Sequence, residues 1–205
     1  MKNGFYKLCF RTATLMGLLC HVAAAQQSSG KPEAKEQIDP KTTTRITLGS
    51  SSGTPGMSVV VPIYFTPAEG VTVGRLKLEV NFVSANLKFN KLERGIAAEM
   101  GNVDLTSDLK LGKNEKGLET SDLTVQAGFP SSESPQKGIP PGLLGYLTLK
   151  INDTGRPATI TLRAKVEGAE AGSNKPLTKV RAFDAQVEVL APGTLPAIAC
   201  FFFTH

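Results

Sequence analysis

Few side chains in this 205-residue chain can attack, coordinate or relay a proton at neutral pH. There are two histidines, His21 and His205, and three cysteines, Cys9, Cys20 and Cys200. A Ser-His-Asp triad or a His-based zinc site needs an imidazole held by its surroundings. His21 falls in an apolar leader and His205 is the last residue of the sequence, so neither is so held, and Cys200 has the same weakness as a nucleophile. Paired carboxylates remain, because glycosidases work with two of them at a set separation. Asp104 with Asp108, and Glu115 with Glu119, could serve, but they lie among Lys110, Lys113 and Lys116 in a stretch that reads as a solvated loop. Any chain with 18 acidic residues offers such pairs. Asn152-Asp153-Thr154-Gly155 carries calcium-type donors, yet Asn, Asp and Gly are favoured in turns for backbone reasons alone. No catalytic residue, metal site or cofactor is assigned, and the expectation is a protein that binds rather than an enzyme.

Two ligand classes can be weighed from composition. Sugar rings stack on flat aromatic faces, and the chain has no Trp and three Tyr, of which Tyr6 lies in the leader. Tyr146 sits on the polar side of its strand and offers one such platform, so polysaccharide is the alternative to a protein partner. Nucleic acid is not expected, because no Lys/Arg cluster is interleaved with aromatic residues.

The elements that must position any site begin after the leader. Lys2, Lys7 and Arg11 precede an apolar run that ends at Ala23-Ala24-Ala25. This predicts a secretory signal peptide over 1–25, too short to span a bilayer, and a periplasmic, cell-surface or extracellular protein with no transmembrane segment. Its removal lowers 23 basic residues to 20 against 18 acidic ones, so the precursor's +5 says little about partners. Cys200 alone then remains, and a disulfide framework is replaced by a hydrophobic core. Residues 26–43 are polar and read as a flexible linker.

From Thr44 the chain is a series of β-like segments. Val59, Val61, Ile63 and Phe65 alternate with polar or edge-type residues, and Pro62 predicts an edge strand or a bulge. Between Val73 and Val83, Leu76, Leu78, Val80 and Phe82 alternate with Arg75, Lys77, Glu79 and Asn81, and the pattern breaks at Ser84-Ala85-Asn86. Leu147, Leu149 and Ile151 repeat it, as do Ile160, Leu162, Ala164 and Val166, and finally Val187 and Val189. Weaker strands are expected around 87–92, 103–105 and 118–127, and a helical turn over 95–101. Period-two alternation without intervening helices predicts an all-β, jelly-roll antiparallel β-sandwich of about nine strands over 44–190.

Gly53-Thr54-Pro55-Gly56 followed by Val59-Val60-Val61-Pro62-Ile63 resembles the opening of a cohesin, where a Gly-rich turn leads into a Val-x-Val-Pro-Val strand. The segment from Val73 to Phe89 is similar to the next cohesin strand, which ends in Tyr-Asp-Pro and continues to a Leu-x-Phe. Phe82 takes the Tyr position, and Leu87 and Phe89 match the Leu-x-Phe. Gly142-Leu143-Leu144-Gly145-Tyr146-Leu147-Thr148-Leu149 is similar to a later cohesin segment in which Gly precedes a central strand. The resemblance implies a sandwich that recognises other proteins, dockerins in cellulosomes, through outward polar residues of the Val73–Val83 strand. That places Arg75, Lys77, Glu79 and Asn81 as partner-binding candidates, with Tyr146 added for its exposed ring. Cohesins often carry Asn and Asp there. Arg75 and Lys77 reverse the charge, and Val83 and Ser84 replace the Asp-Pro, so a dockerin-type partner is not expected. The last segment, 191–205, breaks at Pro192-Gly193 and ends in Cys200-Phe201-Phe202-Phe203. It reads either as an extra edge strand or as a partner-read or export element with Cys200 as its reactive point.

Overall fold

A computed structural model describes residues 39–129 and 137–194. The leader, most of the linker and the tail residues Cys200, Phe201, Phe202 and Phe203 lie outside the described residues. The elements in chain order are β1 (Thr44–Leu48), β2 (Ser51–Gly53), β3 (Ser58–Thr66), β4 (Val73–Val83), β5 (Leu87–Arg94), α1 (Ile96–Gly101), β6 (Asp104–Lys113), β7 (Glu119–Gly128), β8 (Gly142–Ile151), β9 (Ala158–Glu170), β10 (Val180–Phe183) and β11 (Ala185–Val189). One sheet runs β10-β1-β3-β8-β5 and the other β2-β11-β9-β4-β7-β6. The all-β sandwich is therefore as predicted. It has eleven strands among the described residues rather than about nine, and it is not wholly antiparallel, because β1 pairs with β10 and β2 with β11 in parallel.

The alternation in β4 is explained by its position. It lies between β7 and β9 in the six-stranded sheet, and Leu76, Leu78, Val80 and Phe82 point to the facing five-stranded sheet and are at most 3% exposed. They meet Val61, Ile63 and Phe65 from β3 and Leu147, Leu149 and Ile151 from β8 in one continuous core. The break at Ser84-Ala85-Asn86 is the point where the chain leaves one sheet for the other, since β4 and β5 belong to different sheets. Asn152 holds this crossing: its backbone N–H donates to the Asn86 carbonyl at 3.0 Å and its side-chain amide to the Ala85 carbonyl.

Two other sheet changes meet as a pair of corners. β1 and β2 are separated by Gly49-Ser50, and β10 and β11 by Asp184 alone. The two corners are joined, because the Gln186 N–H donates to Ser50 Oγ at 3.1 Å across 136 residues. Asp184 is held in turn by accepting the Ala164 N–H at 2.8 Å.

Two sequence expectations need adjustment. Pro62 is not on an edge strand: β3 is flanked by β1 and β8. The bulge does occur beside it, between Ile63 and Tyr64, and β1 ends opposite Ile63, so the missing N–H breaks no ladder on that side. The stretch holding Asp104 and Asp108 is not a loop but the ten-residue strand β6, with Glu115 in the hairpin turn that follows and Glu119 opening β7. Its period-two signal is weak because little covers it. Gly145 is required by close packing. A Cβ there would stand 2.8 Å from the Glu93 carbonyl oxygen and 2.9 Å from Leu105 Cδ1.

Candidate protein-binding face

The outward side of β9-β4-β7-β6 gathers most of the candidate residues. Strand register sets out three rows across it. Arg163, Asn81, Asp122 and Lys110 form the first; Lys165, Glu79, Thr124 and Asp108 the second; Glu167, Lys77, Gln126 and Thr106 the third. Arg75 and Asp104 lie beyond the third row. Directly opposed residues on one face of a sheet interact, and here the charged ones are opposite in sign at every such pairing. Lys165 faces Glu79, Glu167 faces Lys77, and Asp122 faces Lys110.

Contacts within the face run both across and along the strands. The Asn81 side-chain amide donates to Asp122 Oδ1, and Lys77 Nζ lies 2.6 Å from Glu79 Oε1. That hydrogen bond, and then the ammonium charge, hold the Glu79 carboxyl below the usual carboxylate range, with smaller help from Lys165 and Lys110. Lys77 is raised by the same bond and by the charges of Glu79 and Glu167. Both groups are solvent-exposed, so the pairing arranges the surface more than it stabilises the fold.

The surface is shallowly dished. A hollow of about 420 Å³ lies among Glu79, Lys110, Asp122, Arg163 and Lys165. It adjoins one of about 610 Å³ toward the β6–β7 hairpin, which shares Asn81, Asp122 and Arg163 with it. A third, of about 630 Å³, lies at the other end between Arg75, Lys77 and Glu167 and the apolar Pro176 and Leu177. Five positive side chains (Arg75, Lys77, Lys110, Arg163, Lys165) and five negative ones (Glu79, Asp104, Asp108, Asp122, Glu167) balance over these strands. Such a face suits a protein surface of mixed polarity.

Of the sequence candidates, Arg75, Lys77, Glu79 and Asn81 are therefore brought together. Tyr146 is not. It stands on β8 between Pro62 and Glu93, on the outer side of the other sheet. The residues that sequence inspection missed are Asp122, Lys110, Asp108 and Glu167. The outward residues of β9 were visible in its alternation, but nothing in the sequence put β9 and β7 on either side of β4. Asp104 and Asp108 point outward from the edge strand with no acidic partner opposite. No group of three or more His, Cys, Asp or Glu that could hold a metal occurs among the described residues, and no helix among them is long and apolar enough to cross a membrane.

No protein-family model and no curated protein matches the chain. Solved structures do. The third cohesin of ScaC from Acetivibrio cellulolyticus, in complex with the ScaB dockerin, is 18% identical over 72% of this chain and 99% of that one, with a TM-score of 0.54. The seventh ScaB type I cohesin from Pseudobacteroides cellulosolvens is 17% identical over 78% and 99%, also at 0.54. A non-cellulosomal cohesin from the archaeon Archaeoglobus fulgidus is 16% identical over 72% and 91%, at 0.52. The expectation that Arg75 and Lys77 set this chain against a dockerin-type partner is corrected on two grounds. Several cohesins of matching fold are complexed with dockerins. The charge reversal that motivated the expectation is also local to one strand: Lys77 is paired with Glu79 and faces Glu167, and the acids of β6 and β7 balance the face as a whole. This chain has the cohesin fold.

Proposed function

We propose that the chain is an exported, non-catalytic binding module whose β9-β4-β7-β6 face receives a dockerin-type protein partner. The observation that carries this reading is the charge-balanced polar face centred on Asn81 and Asp122, borne on a cohesin fold. Arg75, Lys77, Glu79 and Asn81 contribute from β4, and Asp122, Arg163 and Lys165 from its neighbours. In this reading residues 1–25 direct export, 26–43 tether, 44–190 bind, and 191–205 form a separate tail, with the module working in the periplasm, at the cell surface or outside the cell.

The test is binding of a panel of purified dockerin modules to the immobilised chain, with Asp122→Lys and Tyr146→Ala as paired variants. At least one dockerin is expected to bind. Asp122→Lys should weaken it by roughly tenfold or more, since it opposes a charge at the centre of the face. Tyr146→Ala, on the opposite sheet, should leave it unchanged. Failure of every dockerin, or a loss caused by Tyr146→Ala and not by Asp122→Lys, would overturn the proposal.

A further inference from the structure

The two sheets have four edges, and one differs from the rest. β2 is three residues long and β10 four. β5 is longer but carries a register shift between Phe89 and Lys91. Short or bulged edges resist pairing with another chain. β6 has none of these protections. It runs ten residues with an unbroken register to β7, and no other named strand pairs with its far side. Its charges run from acidic at Asp104 and Asp108 to basic at Lys110 and Lys113.

The core also stops one strand short of this edge. Leu123 and Ser121 on β7 are each 1% exposed, yet the leucines opposite them on β6, Leu109 and Leu111, are 37% and 77% exposed. Both lie on the inner side of the sheet. An apolar stripe beside an unpaired backbone edge is a template for an added strand.

We infer that the strand added is β6 of a second copy, paired antiparallel about Leu109. The order of charges, acidic then basic, is self-complementary to a second antiparallel copy. The exposed leucines select the register, since centring on Ser107 also opposes Asp104 to Lys110 but leaves Leu111 beyond the end of the facing strand. A two-fold axis perpendicular to the sheet keeps outer residues outer, so only registers centred on a residue of the strand preserve both faces. Centring on Asp108 sets that carboxylate against its own copy, and centring on Lys110 does the same with two ammonium groups. Centring on Leu109 sets Asp108 against Lys110 twice on the outer side. On the inner side it places Leu109 against Leu109 and Leu111 against Ser107, joining four exposed leucines into one cluster. The six-stranded sheets then continue into each other, and the two proposed binding faces lie side by side. This pairing does not depend on what those faces bind.

Sedimentation velocity on the full chain over a concentration series tests it, using Asp108→Lys and Lys110→Asp. The parent is expected to dimerise. Each variant alone places like charges opposite each other twice and should weaken dimerisation about tenfold or more. Mixed in equal amounts, the two should recover it, because every 108–110 contact between unlike copies is again of opposite sign. Asp108 lies opposite Thr124 and should melt with the parent when changed to Lys, whereas Lys110→Asp sets a second carboxylate opposite Asp122 and should melt slightly lower, so the mixture is compared with each variant alone. A parent that stays monomeric to millimolar concentration, a dimer indifferent to either variant, or a mixture no tighter than its components would each overturn the inference.

Discussion

Phe82 and Asn81 are neighbours in β4, and the assignment of a core side and a partner side to that strand rests on their pointing opposite ways. Phe82 is 2% exposed in the core, whereas Asn81 faces outward and bonds Asp122. Truncating a buried Phe to Ala costs about 3–5 kcal/mol, part transfer and part cavity. A domain of this size holds about 5–15 kcal/mol in all, and each kcal/mol moves the melting midpoint by roughly 2–4 °C. Phe82→Ala should therefore lower the midpoint by about 6–20 °C. Asn81→Ala loses one exposed hydrogen bond to a carboxylate, at most about 1 kcal/mol after solvent competition, and so only a few degrees. With no Trp in the chain, far-UV circular dichroism against temperature and urea is the suitable probe. Partner binding should show the inverse order, with Asn81→Ala weakening it while the fold stays intact. If Asn81→Ala destabilised as much as Phe82→Ala, the facing of β4 would be wrong, and with it the whole binding face.

Two further outcomes follow from the packing and the electrostatics. Gly145→Ala should destabilise by about 1–3 kcal/mol, because its Cβ must displace Leu105 or the Glu93 carbonyl; an unchanged urea midpoint would show that β5, β6 and β8 are less tightly apposed than described. Glu79 has a folded pKa below its unfolded one, so its contribution is present above the unfolded value and fades as pH falls through the folded value. NMR titration of its carboxyl carbon should give a midpoint below the usual carboxylate range, and Lys77→Met should return it upward; a midpoint indifferent to Lys77→Met would remove the ion pair as the cause.

What could be read in the sequence depended on how each strand is covered. β4, β8 and β9 announce themselves because one side of each meets a core and the other meets water, so polarity flips with every residue. β6 did not, because Leu109 and Leu111 on its inner side lie beyond the core and its other residues are mostly small, polar or charged, which looks like loop composition. β2 and β10 are too short for any periodic signal and form only because a distant strand offers an edge in parallel. The candidate residues show the same limit. Alternation put Arg75, Lys77, Glu79, Asn81 and Tyr146 on the polar sides of their strands, but polarity does not say which sheet a strand joins. The connection from β7 to β8 is what carries β8 into the sheet opposite β4, separating Tyr146 from the others. The apparent positive charge of Arg75 and Lys77 was likewise a property of one strand, and the balance of the assembled face comes from Asp122 on β7 and from Asp104 and Asp108 on β6.

The joined corners at Gly49-Ser50 and Asp184 bear on the order in which the molecule is made. The first strands of the sandwich are completed by its last ones, so the bond from Gln186 to Ser50 closes a loop of 136 residues. Contacts so remote in sequence form late and slow the search for the native state. Until β10 and β11 have emerged, β1 and β2 have no parallel partners and both sheets remain open on that side. A nascent chain of this kind cannot lock prematurely: it becomes rigid only when nearly the whole module is present at once.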